Sequence, residues 1–313
     1  MEKATGSGEK ASFYRASILP ELLVFQASYR KFQFARHFHD EFALGVMESG
    51  VQKIFCHGRD YFAPTGSLIT VNPGDIHDGC SGDGASYKYR ILYIPMELMQ
   101  EAGSVGSGKN REIFFRTPVT HDPAFAIQLR RLHCMLDEPS WKDLKTQPFM
   151  PFGYRQSNKN QASAEKFSTV EFSGKKESLE VQTFFYSLLL TFISRHGIEK
   201  NDWRKEQVFP YSVMRATEFI NDNSEKKLSL DDIAAAAGLS RFHFLRVFKN
   251  ATGMSPYAYL LHRRLQLAKE GIKKKKSLAD AAIDAGFADQ SHLSRRFKAA
   301  YGITLNQYRK TVC

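Results

Sequence analysis

Three histidines and an acid in the amino-terminal third have the types and spacing to act on one ligand. The run H-F-H-D-E places His37, His39 and Glu41 at alternate positions, and His77 closes the later run P-T-G-S-L-I-T-V-N-P-G-D-I-H. Alternate residues of a strand share a face, so His37, His39 and Glu41 can point together. With Glu41 or Glu48 as the acid, three imidazoles make a three-nitrogen, one-carboxylate metal site. The same residues can instead be polar contacts lining a small-molecule cavity, or purely structural histidines. Arg36, Arg90, Tyr87 and Tyr89 are further candidates for holding an anionic or amphoteric ligand.

A second set of chemically able residues lies near the carboxy terminus, in a unit stated twice. L-D-D-I-A-A-A-A-G-L-S-R-F-H-F-L-R-V-F-K from Leu230 to Lys249 is echoed by L-A-D-A-A-I-D-A-G-F-A-D-Q-S-H-L-S-R-R-F-K from Leu278 to Lys298. Each copy predicts a short Ala-rich helix, a turn at Gly238 or Gly286, and a second helix capped by Ser240 or Asp289. In the first of these second helices, Phe244, Val247 and Phe248 form the apolar stripe, leaving Arg241, Phe242, Leu245, Arg246 and Lys249 wholly or partly outside it. In the other copy Leu293 and Phe297 turn inward, and Gln290, Ser291, Ser294, Arg295 and Lys298 take the other face. Constant inward stripes with different outward faces suit a molecule that reads two different short sequences of duplex.

The elements that must position these groups follow. Between the copies, Ser255 caps and Pro256 starts a helix of roughly 17 residues, about 25 Å long, enough to place two reader helices about one duplex turn apart. From Ala16 to Pro95 the chain runs in short alternating or apolar segments cut by turns about every ten residues. That pattern predicts an antiparallel barrel or jelly roll, with an interior suited to a small ligand.

The segment from about Pro210 to Cys313 resembles the DNA-binding domain of AraC/XylS-type transcription regulators. The resemblance rests on the duplicated unit, on G-M-S-P-Y-A-Y-L, and on G-F-A-D-Q-S-H-L-S-R-R-F-K followed by G-I-T-L-N-Q-Y-R. It implies seven helices, base-facing positions at Phe242, Leu245 and Arg246 and at Gln290, Ser291, Ser294 and Arg295, and duplex DNA as partner. Arg241, Lys249 and Lys298 then serve the DNA backbone. Leu305 stands where the family usually has Pro, and Leu245 is apolar where a polar base contact is common. The amino-terminal half is similar to the cupin-type sensor domain that often precedes this unit, on H-F-H-D-E, on G-V-M-E-S-G-V-Q and on the run ending at His77. This implies an effector site drawn from His37, His39, Glu41, His77 and Arg90. The acid follows the second histidine by two residues, closer than the usual cupin spacing, and regulators of the family generally keep the barrel without the metal. No metal or other cofactor is expected.

Charge agrees with this division. Of the formal net charge of +11, residues 201 to 313 carry +9 and residues 1 to 200 carry +2. Attraction to phosphate needs such an excess. Cys56, Cys80, Cys134 and Cys313 form no C-x-x-C pair, the start of the chain is polar, and no apolar run approaches ~18 residues, so a reduced cytoplasmic protein without membrane contact is expected.

Asp122 to Leu136 reads as a helix starting at Pro123, residues 142–176 as a long polar excursion, and Glu177 to Arg195 as a helix with a wide apolar face. Phe185, Leu188, Leu189 and Phe192 of that face are the expected dimer contacts, since the family commonly dimerises through helices placed here. The expected class is therefore α+β: a cupin-like β-barrel with packed helices, followed by an all-α domain of two helix-turn-helix units joined by a long helix. The expected divisions are a disordered tail over 1–15, an effector-binding and dimerisation domain over 16–198, a linker over 199–209 and the DNA-binding domain over 210–313. The expected function is a sequence-specific, effector-responsive transcription activator, a homodimer that contacts RNA polymerase, and not an enzyme. The alternative is a metal-dependent cupin enzyme fused to a nucleic-acid-binding domain.

Overall fold

The computed structural model describes residues 9–105, 112–136, 178–199 and 210–313. Eight strands open the chain: β1 Lys10–Arg15, β2 Leu23–Tyr29, β3 Phe42–Ser49, β4 Val51–Cys56, β5 Arg59–Pro64, β6 Leu68–Val71, β7 His77–Ser81 and β8 Tyr87–Ile94. They form two antiparallel sheets. One has the order β1-β2-β8-β3-β6-β10, with β10 at Val119–Thr120, and the other the order β5-β4-β7. A separate ribbon pairs β9, Ile113–Phe115, with β11, Gly197–Glu199.

Strand alternation divides the apolar side chains of the larger sheet between two cores. Tyr87, Tyr89 and Ile91 of β8 face the smaller sheet and meet Ile54, Cys56 and Ala63. Leu92 and Ile94 face the opposite way, toward helices α1 Met96–Ser104, α2 Pro123–Leu136 and α3 Ser178–His196. Phe125, Leu129 and Leu132 of α2 meet Phe185, Leu189 and Phe192 of α3 in that second core, all nearly or fully buried.

The tail expected over 1–15 is corrected from residue 10 onward. Lys10–Arg15 pairs with β2 along its whole length, and Phe13 stacks on Tyr308 at 6.0 Å, so an apolar alternation hidden in K-A-S-F-Y-R has a surface to bury against. The excursion expected over 142–176 lies outside the described residues, as does the linker expected over 199–209 apart from Glu199.

Seven helices follow among the described residues: α4 Tyr211–Asp222, α5 Leu230–Ala237, α6 Arg241–Thr252, α7 Pro256–Lys273, α8 Leu278–Asp284, α9 Gln290–Tyr301 and α10 Leu305–Val312. Ser229 and Thr304 close capping boxes with Asp232 and Gln307, and Asp289 accepts from His292 N at 2.7 Å. Ser240 sits at the cap position of α6 but makes no side-chain capping bond. Thr304 with Gln307 gives α10 the start signal that Pro would otherwise supply at residue 305.

The two repeats are not equivalent in the fold. The first has its own core around Val213, Ile220, Ile233, Phe244 and Phe248. The second shares one continuous core with the barrel interior, running from Phe25 and Tyr89 through Leu265 and Leu293 to Phe297 and Tyr308. No helix among the described residues is long and apolar enough to cross a membrane.

Candidate functional site

Helices α6 and α9 are the second helices of the two repeats. In α6, Phe244 and Phe248 are fully buried, while Arg241, Phe242, Arg246 and Lys249 are exposed and Leu245 is half-buried. Phe242 is 85% exposed, an unusual position for an aromatic ring with no packing role. Arg241 pairs with Asp231 at 2.8 Å, and both are exposed. Such a pair contributes little to stability and can exchange for a phosphate. In α9, Leu293 and Phe297 are buried, Gln290, Ser291 and Arg295 are exposed, and Ser294 and Lys298 are half-buried. Each helix therefore offers a polar outer face at its amino-terminal half, the end that motifs of this kind bring to base edges.

Both helices end on a left-handed glycine, Gly253 at φ 73° and Gly302 at φ 72°. These glycines also touch the barrel. A Cβ on Gly302 would lie 2.7 Å from Tyr29 Oη and 2.9 Å from Phe34, and one on Gly253 would lie 2.9 Å from Phe55 and 3.0 Å from Arg36. Tyr29 Oη donates to Gly302 O at 3.1 Å, and Ala35 N donates to Ala299 O at 2.8 Å. Arg36 pairs with Asp78, stacks over Phe55 at 3.6 Å and donates to Gly253 O. Turn and docking point are thus the same residue in each repeat.

Between barrel and repeats lie two small adjoining cavities of about 30 and about 50 Å³. His39, Tyr93 and Tyr301 line both; Glu41 and Lys269 face the smaller, and His37 and His77 the larger. The rings of His37 and His77 are 4.2 Å apart, those of His39 and His77 5.0 Å, and those of His37 and His262 6.1 Å. Each of the three barrel histidines sets Nδ1 against a backbone carbonyl: His37 on Ala35 at 2.8 Å, His39 on Glu41 at 2.6 Å and His77 on Asp75 at 2.8 Å. A carbonyl only accepts, so Nδ1 carries the proton and Nε2 keeps its lone pair. Burial, then the neighbouring imidazoles, hold His37 well below the ordinary histidine range. Burial and His77 do the same to His39, and burial lowers His77 and His262 as well. The cluster is uncharged near neutrality. Burial alone would raise the Glu41 carboxyl, but Lys269, with Nζ 3.5 Å from both oxygens, and His39 pull it below its usual range.

His37, His39, Glu41 and His77 are therefore brought together, and Arg90 is not. Arg90 lies between Tyr89 and Ile91, so alternation turns it through the sheet to the helix side, where Nε meets Glu48 Oε1 at 2.6 Å beside Arg130. The four expected dimer contacts are also corrected. Phe185, Leu188, Leu189 and Phe192 are between 0 and 8% exposed and pack within the domain. The exposed line of α3 is instead Leu179, Thr183, Tyr186 and Leu190.

Sequence reasoning missed Lys269 and Tyr301, which line the cavities from the other half of the chain, and His262, whose ring packs near that of His37. A signal existed: His262, Gln266 and Lys269 are polar residues at helical spacing on α7, beside the apolar Leu261, Leu265 and Ala268, and all three are buried. Gln266 Nε2 donates to Phe38 O at 3.0 Å, and the His262 ring lies 4.2 Å from that of Phe38.

A family profile described as an AraC-like ligand binding domain matches residues 19–147, and one described as a helix-turn-helix domain matches residues 233–311. YbfI of Bacillus subtilis, an uncharacterized HTH-type transcriptional regulator, is 25% identical over 83% of this chain and 82% of its own length. The HTH-type transcriptional activator AarP of Providencia stuartii is 35% identical over 34% of this chain and 80% of its own. Among solved structures, apo ToxT from Vibrio cholerae aligns over 94% of this chain and 98% of its own at 13% identity and a TM-score of 0.49. The chain belongs to the AraC-type family of DNA-binding transcription regulators.

Proposed function

We propose that the chain is an effector-responsive transcription activator whose sensor spans β1 to residue 198 and whose DNA-binding domain spans 210–313. In this reading it acts in the cytoplasm as a homodimer at promoters, in contact with RNA polymerase. Arg246 and Arg295 read guanines, Gln290, Ser291, Ser294, Phe242 and Leu245 complete the base-facing set, and Arg241, Lys249 and Lys298 hold the backbone. The dimer forms through Leu179, Thr183, Tyr186 and Leu190, whose spacing of four, three and four residues makes a coiled-coil seam.

One observation carries the effector mechanism: the barrel mouth is closed by the second repeat. Metabolite sites commonly need about 300 Å³ or more, whereas the two cavities measure about 30 and about 50 Å³. A ligand held by His37, His39, Glu41 and His77 therefore has room only if Tyr301 and Lys269 move. Ligand and second repeat compete for the same surface, so occupancy of the barrel biases how α9 is held relative to α6.

Genome-wide mapping of bound sites supplies the operator, and neighbouring genes supply candidate effectors. On that operator, Tyr301→Ala should reproduce without effector the affinity change that effector produces in the wild type. An affinity equal to that of the effector-free wild type, in a folded variant, would remove the competition mechanism.

A further inference from the structure

A second constellation lies at the barrel rim, away from the effector cavity. Strand β4 ends at Cys56, the chain turns through His57, and the β6–β7 connection carries Asp75. Among the described residues this is the one group of histidine, cysteine and acidic side chains whose ligand atoms all lie within 4.8 Å of one another. We propose that Cys56, His57 and Asp75 bind a thiophilic divalent cation, zinc foremost.

The geometry is near that of a metal centre. A tetrahedral zinc with bonds of about 2.0–2.3 Å holds its ligand atoms about 3.3–3.6 Å apart. His57 Nε2 and Asp75 Oδ2 are 3.0 Å apart, so this pair needs to open by only a few tenths of an ångström. The thiol needs to close by no more than about 1.3 Å, given the 4.8 Å bound. Sulfur, nitrogen and oxygen in one set disfavour magnesium and calcium, which take oxygen ligands, and suit zinc. Three protein ligands leave a fourth position for water or another donor.

The acid is braced as metal-binding acids are. Asp75 Oδ2 accepts from Asn72 N at 3.2 Å and from Asn72 Nδ2 at 2.8 Å. Asn72 is itself fixed, its Nδ2 donating to Phe115 O at 2.9 Å and its Oδ1 accepting from Phe115 N at 2.7 Å. Such outer bonds orient a ligating carboxylate. Cys56 is fully buried, and the His57 side chain is 12% exposed, which leaves an entry path along the imidazole edge. Coordination replaces the thiol S–H by a sulfur–metal bond and releases that proton to solvent, so binding strengthens as pH rises. The ion ties the β4–β5 turn to the β6–β7 connection, next to Phe55, on which Arg36 stacks while holding Gly253.

The test uses the full chain, purified with a chelator and then titrated with cobalt(II) and zinc. The expected result is one ion per chain, with a near-ultraviolet thiolate-to-cobalt band that zinc displaces. Cys56→Ser should abolish the band, and Asp75→Asn should weaken zinc binding at least tenfold. His37→Asn, in the effector cavity, should leave both unchanged. Circular dichroism checks the fold of each variant, and Asp75→Asn retains the thiol should Cys56→Ser not fold. Absence of the band in the wild type would overturn the site. So would zinc binding that survives Asp75→Asn at full strength, or that His37→Asn removes.

Discussion

Lowering the pH from 7.5 to 5.5 should loosen the junction between barrel and repeats, by an amount the buried histidines allow to be worked out. His37, His39 and His262 meet at that junction, and burial holds each below its ordinary range in the folded state. In the unfolded chain each takes a proton near pH 6.5. The folded state binds fewer protons across this window, so its stability falls as pH falls. At pH 5.5 each histidine that stays neutral when folded costs about 1.4 kcal/mol relative to pH 7.5. Three together cost about 4 kcal/mol, a large part of the roughly 5–15 kcal/mol that stabilises a typical domain. Glu41 works in another window. Its folded value is lowered, so the stability it contributes is present above its unfolded value near 4.5 and is lost only below it. Urea denaturation at pH 7.5, 6.5 and 5.5 measures the total, and amide exchange in α9 and α10 reports whether the second repeat opens first. His262→Gln should remove the part of the pH dependence that one imidazole supplies, about 1.4 kcal/mol. Stability that does not change from pH 7.5 to 5.5 would mean that these imidazoles accept protons while the junction is closed, and the dry interface would be refuted.

The remaining predictions concern DNA and the subunit contact. Arg295→Ala should lower operator affinity by about 1–3 kcal/mol, with relaxed preference at one base pair and little loss on scrambled duplex. Lys249→Ala should lower both alike and reduce the salt slope by about one unit; titrations on both duplexes at several salt concentrations check the pair. Leu190→Asp should shift sedimentation toward monomer with the fold intact, since Leu190 is exposed on α3. Phe192→Ala, at a fully buried ring, should instead destabilise the sensor by about 3–5 kcal/mol, read by thermal unfolding.

Much of the architecture was legible because its signals are local. Glycine at a turn, an acid or hydroxyl at a cap, and apolar residues at spacings of two or of three and four act through their neighbours in sequence. The duplicated unit stated its two reader helices this way, and Phe244, Phe248, Leu293 and Phe297 are buried as their spacing required. His37 and His39 also reach one cavity, but not by the alternation of a strand: residues 37–41 precede β3, and only His37 makes an isolated bridge, to His77. Local pattern also misled. The wide apolar face of α3 has one side that meets α2 and another that does not, and periodicity alone cannot say which neighbour covers which side; the buried side holds Phe185 and Phe192.

What the tertiary structure alone decided is everything that depends on distant parts of the chain meeting. Arg90 looked like a ligand contact until the sheet acquired a helix-covered side, which gave that guanidinium Glu48 as its partner. Phe13 looked like part of a tail until Tyr308 supplied a ring to stack on. His262 and Lys269 are ordinary polar residues of a linking helix by sequence; docking on the barrel mouth brings Lys269 to the cavity wall and the His262 ring to 6.1 Å from that of His37. The inequivalence of the two repeats, one with a core of its own and one sharing the barrel's, has no trace in their near-identical inward stripes. Local propensities and spacing act between residues a few positions apart, whereas burial against a surface some 200 residues away is settled only when the whole chain has packed.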